Sequence, residues 1–409
     1  MTPMPLVAST ASSLRLSDLR GLTQLGFDAT LGVTDLVEQM HRTIVKRAGI
    51  VGRIEPGRTR GITGVVYGSI RGITGALAKG VGATLGALDR GHGEGPILPQ
   101  REAAIAALNG VWGDHLAETG NPLAIEMSLR VAGRRVDLAP GRIAQALPNA
   151  TGRVLVQVHG LCMNDLQWTR NGHDHGQALA QQLGYTPVAL HYNSGEHIAS
   201  NGRRFAELLD ELLAHWPVAV QEIVLLGHSM GGLVARSACH HARQAGLGWL
   251  RHLTRLACLG APHHGAVLER GGHLVDTLFE LSPYVAPFAR LGKARSAGIT
   301  DLRYGNVQDA DGQGRARHDQ RHDDRRPTPL PQGVQTFLVA ATRAEQPRGL
   351  RHALIGDGLV TVASALGEHR DPTLALNVPA SQRMVVTSAN HWDLLDRPAV
   401  AQRLLRWLA

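Results

Sequence analysis

A chain of 409 residues, 43% of them hydrophobic, has ample material for a sizeable core, as one large α/β domain with an appendage or as two modest domains. Its net charge of +8 comes mainly from arginines scattered among acidic residues, which reads as a basic soluble surface, and no nucleic-acid partner is expected. Cys162, Cys239 and Cys258 are odd in number and lack metal spacing, which argues against a disulfide framework and favours a reducing compartment.

The N-terminus carries polar Ser9 to Ser13 and no basic segment followed by an apolar core, so no signal peptide is expected and the cytoplasm is the expected location. A helix is predicted around Leu31 to Val45, followed by a Gly/Arg/Pro connector from Arg47 to Arg60. Over residues 61–88, helical pitch puts Val66, Ile70, Ile73, Leu77, Val81 and Leu88 on one stripe, with Arg71, Lys79 and six glycines opposite. The two charges break any uncharged window of about 18 apolar residues, so a spanning helix is excluded. Each exposed glycine costs about 1 kcal/mol relative to alanine, so this helix needs support. Docking of its glycine face, burial of its apolar stripe, or adsorption to a lipid surface as a peripheral membrane contact would each supply it.

Beyond the Gly91 to Gly95 breaker, Arg101 to Leu108 reads as a short helix and Ala124 to Leu138 as a hairpin turning at Ala132-Gly133-Arg134. Three segments follow from this: an N-terminal helical extension over 1–100, a helix and hairpin over 101–150, and a catalytic domain over 151–409. From Arg153 the pattern alternates. Strands are predicted at Val154–Val158, Pro187–His191, Ile223–Leu226, Leu253–Leu259, Thr336–Ala341 and Arg383–Thr387, with intervening helices such as Arg203–Ala214, which implies a mostly parallel sheet with right-handed crossovers. Residues 266–298 are too long and too apolar for a plain connection and suggest a helical cap. Residues 309–329 form a mixed-charge loop in which His318 and His322 are expected to be solvated, and no metal or cofactor is expected.

Chemistry concentrates at Gly227-His228-Ser229-Met230-Gly231, where an apolar run ends and helical periodicity begins at once. The bare G-x-S-x-G pattern is weak, but a strand before it and an apolar helix behind it are what a serine on a strained elbow requires. A serine hydroxyl needs an imidazole to take its proton and a carboxylate to orient that imidazole. His391, beyond the last strand, is the best base. Asp357, between two glycines, is the best acid, with Asp393 disfavoured because it lies two residues from His391. Leu161 and Met230 offer backbone N–H groups for an oxyanion. His159, Gly160 and His228 are candidate substrate contacts, although His159 and His228 also suit structural roles.

His159-Gly-Leu161, the Gly227 to Gly232 elbow, Gly260-Ala-Pro-His-His-Gly265, Gly356-Asp-Gly-Leu-Val360 and His391 together resemble the α/β-hydrolase superfamily, specifically bacterial esterases and lipases of the triacylglycerol-lipase and inositol-deacylase-like kinds. The resemblance runs from about Arg153 to Ala409. It implies an α/β-hydrolase fold with a cap, and hydrolysis of acyl esters or lipids through an acyl-enzyme. A thioesterase, an acyltransferase or a non-catalytic lipid-surface protein remain alternatives. The segment His191 to Gly202 resembles the entry to the next helix in such lipases and is expected to order loops near the pocket. Residues 1–150 lie outside the resemblance, and oligomeric state is left open.

Overall fold

A computed structural model describes residues 15, 17–28, 30–31, 69, 71–79, 97–266, 296–311, 323, 325–346 and 356–409. The chain divides into two compact units, residues 1–101 with 118–123, and residues 102–117 with 124–409. The predicted helix beyond Leu31, the connector, the stripe residues Val66, Ile70, Val81 and Leu88, the cap after Ala266 and the loop histidines 318 and 322 lie outside the described residues.

In the smaller unit, residues 17–28 and 71–79 are helical. Arg101 pairs with buried Asp18 at 2.5 Å, and the Gly21 backbone packs so tightly on Leu123 that a Cβ there would lie 2.4 Å from its Cγ. Of the predicted apolar stripe, Ile73 is 63% exposed and Leu77 55% exposed. At these two positions the stripe is therefore not buried.

The larger unit is built on an eight-stranded sheet ordered β2-β1-β4-β3-β5-β6-β7-β8. The strands are β1 (Ser128–Val131), β2 (Arg134–Arg135), β3 (Arg153–Val158), β4 (Thr186–His191), β5 (Glu222–His228), β6 (Leu253–Leu259), β7 (Gln335–Ala341) and β8 (Arg383–Val386). From β4 to β8 every pairing is parallel, and only β1 runs against its neighbours. The β1–β2 hairpin turns through Ala132 and Gly133, both at positive φ, the pair of left-handed residues that a two-residue turn demands. Because β1 pairs with β4, the hairpin belongs to the same sheet as the later strands.

Period-2 alternation sorts the central strands onto two cores. Val154, Val156, Val158, Leu225 and Cys258 face one side, beneath helices Ile198–His215 and Met230–Ala245. Leu155, Val224, Leu226, Leu259 and Val339 face the other, with Leu179, Leu404 and Leu408 of helices His175–Leu183 and Pro398–Leu408. Neither face meets water, which is why these strands read as unbroken apolar runs.

The predicted short helix at Arg101–Leu108 is in fact a 20-residue helix, Pro99–Glu118, with one non-helical residue at Trp112. Its glycines are contact points: a Cβ at Gly110 would meet Cys162 Sγ at 2.2 Å, and one at Gly113 would meet Asn193 Oδ1 at 1.8 Å. Helix interior and loop backbone touch only because no side chain intervenes. Buried Asn109 adds a tie by accepting from the Ile125 N–H at 2.9 Å.

Close approach makes a stability prediction. A Cβ on Gly231 would sit 2.0 Å from the carbonyl oxygen of Val158, so Gly231→Ala is expected to lose at least about 2 kcal/mol in urea unfolding. Gly72, helical with open space around it, should by contrast gain about 0.5–1 kcal/mol on substitution by alanine.

Candidate active site

Strand order decides where a site can form. β3 leaves toward β4 on one side, whereas β5 lies on its other side, so the β3 and β5 carboxyl ends diverge and open the crevice in which open α/β sheets bind ligands. His159-Gly160-Leu161 follows β3 and Ser229 follows β5, with Val158 and Gly227 in register just before them. Asp357 and His391 follow β7 and β8 in the chain.

Ser229 has φ 53° and ψ −127°, a conformation costing of order 1–3 kcal/mol for a non-glycine residue. Its N–H donates to the Leu259 carbonyl at 2.8 Å, and its own carbonyl accepts from Gly232 N–H at 3.0 Å. These bonds, with Gly231 against β3, hold the strain. Helix Met230–Ala245 starts immediately behind, so the Met230 amide is at its first position, where an N–H has no intrahelical acceptor.

His391 opens a short 3₁₀ turn, His391–Leu395, capped by Asn390 and Asp393. Its Nδ1 lies 2.7 Å from Asp357 Oδ2, with both side chains buried. The other Asp357 oxygen accepts the Leu359 and Val360 amides at 2.9 and 2.8 Å. Three donors around one carboxylate fix its orientation and keep the imidazole Nδ1–H directed at it. Asp393, the rival carboxylate, accepts the Asn390 N–H at 2.9 Å as part of the cap.

The structure brings Ser229 and His391 to a shared neighbour. Leu259 accepts from Ser229, and a Cβ on the next residue, Gly260, would lie 3.0 Å from His391 Cε1. His391 Nε2 makes no hydrogen bond among the described residues, so the two side chains are not in bonded contact here. Such contacts commonly tighten only around bound substrate.

Gly160 lies against the serine, since a Cβ on it would be 3.0 Å from Ser229 Cβ. Beyond it Cys162 takes φ 59°, its N–H donating to Ser194 Oγ and Met163 N–H to Gly160 O. Among the described residues the Leu161 N–H takes no part in these loop bonds. Ser194, like Asn193, whose Nδ2 donates to Gly113 O, belongs to the 191–202 segment assigned to loop ordering.

Two of the three residues read as substrate contacts are engaged elsewhere. His159 is fully buried, its ring stacked on Tyr192 at 4.3 Å, while the Tyr192 hydroxyl donates to its carbonyl at 2.7 Å. His228 is also fully buried, with Nε2 3.2 Å from the His391 carbonyl. Strand alternation explains this, because His228 falls on the same face as Leu226 and Val224. Sequence reading also missed Arg236, nearly two helical turns into the elbow helix. Its guanidinium meets His263 Nδ1 at 3.2 Å and donates to Thr328 O at 2.9 Å, while Arg325 donates to His263 O at 2.9 Å, anchoring the Gly260–Gly265 loop. An arginine at a helical core position was the available signal. Among the described residues no cluster suited to a metal is found.

Burial holds five of these histidines neutral: His159 and His264 fall to about 3, His175 to about 4, and His228 and His263 lie well below the ordinary imidazole value. The unfolded chain protonates its histidines first, so stability is complete above about pH 6.5 and falls as pH drops toward the folded-state values, by up to about 1.4 kcal/mol per unit for each histidine. Paired Asp165 and Glu222, held low by His191 and Arg153 respectively against the opposing effect of burial, act in the same direction only in stronger acid. Melting temperature is therefore expected to decline steadily between pH 6.5 and 4.5, and a flat profile there would contradict neutral burial.

A profile for the PGAP1-like alpha/beta domain matches residues 149–286. Solved structures similar to the chain include lipase BlEst2 of Bacillus licheniformis in mature form, at 17% identity and TM-score 0.42 over 69% of this chain and 98% of that one. Esterase Pf2001 of Pyrococcus furiosus matches at 14% identity and TM-score 0.37, over 64% of this chain and 84% of that one. Lipase B of Aspergillus fumigatus matches at 12% identity and TM-score 0.37, over 66% of this chain and 58% of that one. Comparison with curated proteins returned no match. The larger unit has an α/β-hydrolase type of fold, a mostly parallel sheet flanked by helices with a serine elbow at its switch point, and the match to the PGAP1-like alpha/beta domain spans both the β3 loop and that elbow.

Proposed function

We propose that the protein is a serine carboxylic ester hydrolase. The observation that carries the reading is the 2.7 Å contact between His391 Nδ1 and Asp357, with Nε2 of the same ring without a hydrogen-bond partner among the described residues. Asp357 fixes the tautomer that leaves Nε2 as a base. Nε2 takes the Ser229 proton as Oγ attacks the acyl carbonyl. The carbonyl oxygen gains charge between the amides of Leu161 and Met230, and the protonated imidazole then gives its proton to the leaving alkoxide. Water attacks the acyl-enzyme by the same route and releases the acid. A thioester or an alcohol acceptor would use the same groups, so turnover with competing alcohols distinguishes hydrolysis from acyl transfer. The three unpaired buried thiols fit a reducing compartment.

An alkyl fluorophosphonate should label the wild-type protein at Ser229, and folded Ser229→Ala should not react. Asp357→Asn should fold and lose about 10⁴-fold in kcat. Equal labelling of wild-type and Ser229→Ala sinks the assignment. A panel of esters from acetate to palmitate then reads the chain length accepted.

A peripheral lipid contact through residues 61–88 is part of the proposal, and the exposure of Ile73 and Leu77 favours it. No helix among the described residues is long and apolar enough to cross a membrane, and the proposed contact is interfacial. Joint substitution Ile73→Glu and Leu77→Glu should abolish co-sedimentation with anionic liposomes while leaving kcat/KM for a short soluble ester unchanged. Undiminished liposome binding would remove this helix from the interface.

A further inference from the structure

Two buried histidines outside the proposed chemistry converge on the turn that carries the base. His228 Nε2 lies 3.2 Å from the His391 carbonyl, at the start of the turn, and His175 Nε2 lies 2.9 Å from the Leu394 carbonyl, near its end. We propose that His228 and His175 are positioning residues that hold this turn from beneath and so set where the His391 ring stands against Ser229. The inference rests on the ester-hydrolase reading, in which His391 is the base.

A single 3₁₀ turn is weakly held by its own bonds. Asn390 and Asp393 satisfy its amino end, Asn390 Oδ1 accepting from Trp392 and Asp393 amides at 2.8 and 3.1 Å. Its carbonyl side depends on groups from other elements. A carbonyl only accepts, and a neutral imidazole has one donor, so each ring must carry its proton on Nε2. For His175 the geometry agrees, because His173 Nε2 lies 2.9 Å from its Nδ1 and supplies the donor on that side. For His228, Nδ1 has no partner among the described residues, which leaves Nε2 as the only bonded nitrogen.

His228 is also the residue immediately before the nucleophile, and its ring lies 4.8 Å from that of His391, with Trp392 at 5.8 Å and Trp168 at 6.4 Å. One side chain thereby spans from the elbow strand to the base turn. Misplacement of a reacting group by about 1 Å costs about 10²-fold in rate, so loss of this tie acts on kcat.

The test uses the full chain. His228→Leu removes the donor and is expected to lower kcat about 10- to 100-fold with KM within about twofold. His228→Gln returns an N–H at similar reach and should recover most of the loss. Ring ¹⁵N shifts of the wild-type protein should show His228 protonated at Nε2 and not at Nδ1. Wild-type kcat in His228→Leu, equal impairment of the leucine and glutamine variants, or an Nδ1–H tautomer would each overturn the proposal. Should His228→Leu not fold, the ¹⁵N measurement decides. Wild-type protein inert to both esters and fluorophosphonate overturns the ester-hydrolase reading instead, a failure visible before any His228 variant is made.

Discussion

The constraint from which the rest of the site follows is the contact of Gly231 backbone with the Val158 carbonyl, where an added Cβ would be only 2.0 Å away. It welds the first turn of the elbow helix to the end of β3. That weld brings the Gly160–Leu161 loop beside Ser229 and aims both the helix N-terminus and the loop amides into one crevice. Ser229 has to adopt positive φ to make the turn, and the Leu259 carbonyl on the other flank of β5 receives its N–H. Ser229 and the Gly160–Leu161 loop are therefore indexed to the adjacent strands β5 and β3, whereas the turn bearing His391 follows β8 and reaches them beside Gly260 at the end of β6.

Legibility in the sequence followed the range of the interactions. The six parallel strands could be read to within two residues at their ends because both faces of the sheet are buried and the runs are apolar throughout. Ser229 was legible because its demands are local: a strand, small residues on either side and a helix. Asp357 and His391 were legible as residue types in suitable loops, but only the fold could bring together groups 34 positions apart. Helix Pro99–Glu118 runs ten residues beyond the predicted Leu108 end, through Gly110 and Gly113, whose close contacts with Cys162 and Asn193 are made only in the fold. His228 was read as a candidate for substrate, whereas strand parity turns it into the core and onto the base turn.

Histidine is used here mainly as a neutral donor. A buried lysine or arginine in the place of His228 would be charged beside the His391 ring and, in the proposed hydrolysis, would oppose an imidazolium there. Asparagine or glutamine would bring an amide with both a donor and an acceptor to satisfy. A desolvated imidazole offers one N–H, a flat apolar body that packs against Trp168 and Trp392, and no charge at working pH. The same economy is seen at His159, stacked on Tyr192 at the start of the Gly160–Leu161 loop.

Strain and buried polar groups gather at the carboxyl end of the sheet, and the amino end compensates for them. There Arg153 of β3 meets Glu222 of β5 at 2.5 Å, and Arg255 of β6 meets the same carboxylate at 2.6 Å. Arg153 and Tyr185 also donate to the Leu408 carbonyl at 3.2 and 2.9 Å, fastening the last turn of helix Pro398–Leu408 to the sheet. One carboxylate held by two guanidiniums across three strands, with its remaining contacts filled by Tyr185 and Thr254, meets the condition under which a partly buried ion pair helps rather than hurts. These contacts clamp β3, β5 and β6 at the end remote from the crevice, where β5 ends in the strained Ser229, β3 leads into the Gly160–Leu161 loop and Gly260 after β6 lies beside the His391 ring. A sheet pinned at one end can hold uncompensated groups at the other, and the division of labour between its two ends is what makes the crevice chemically available.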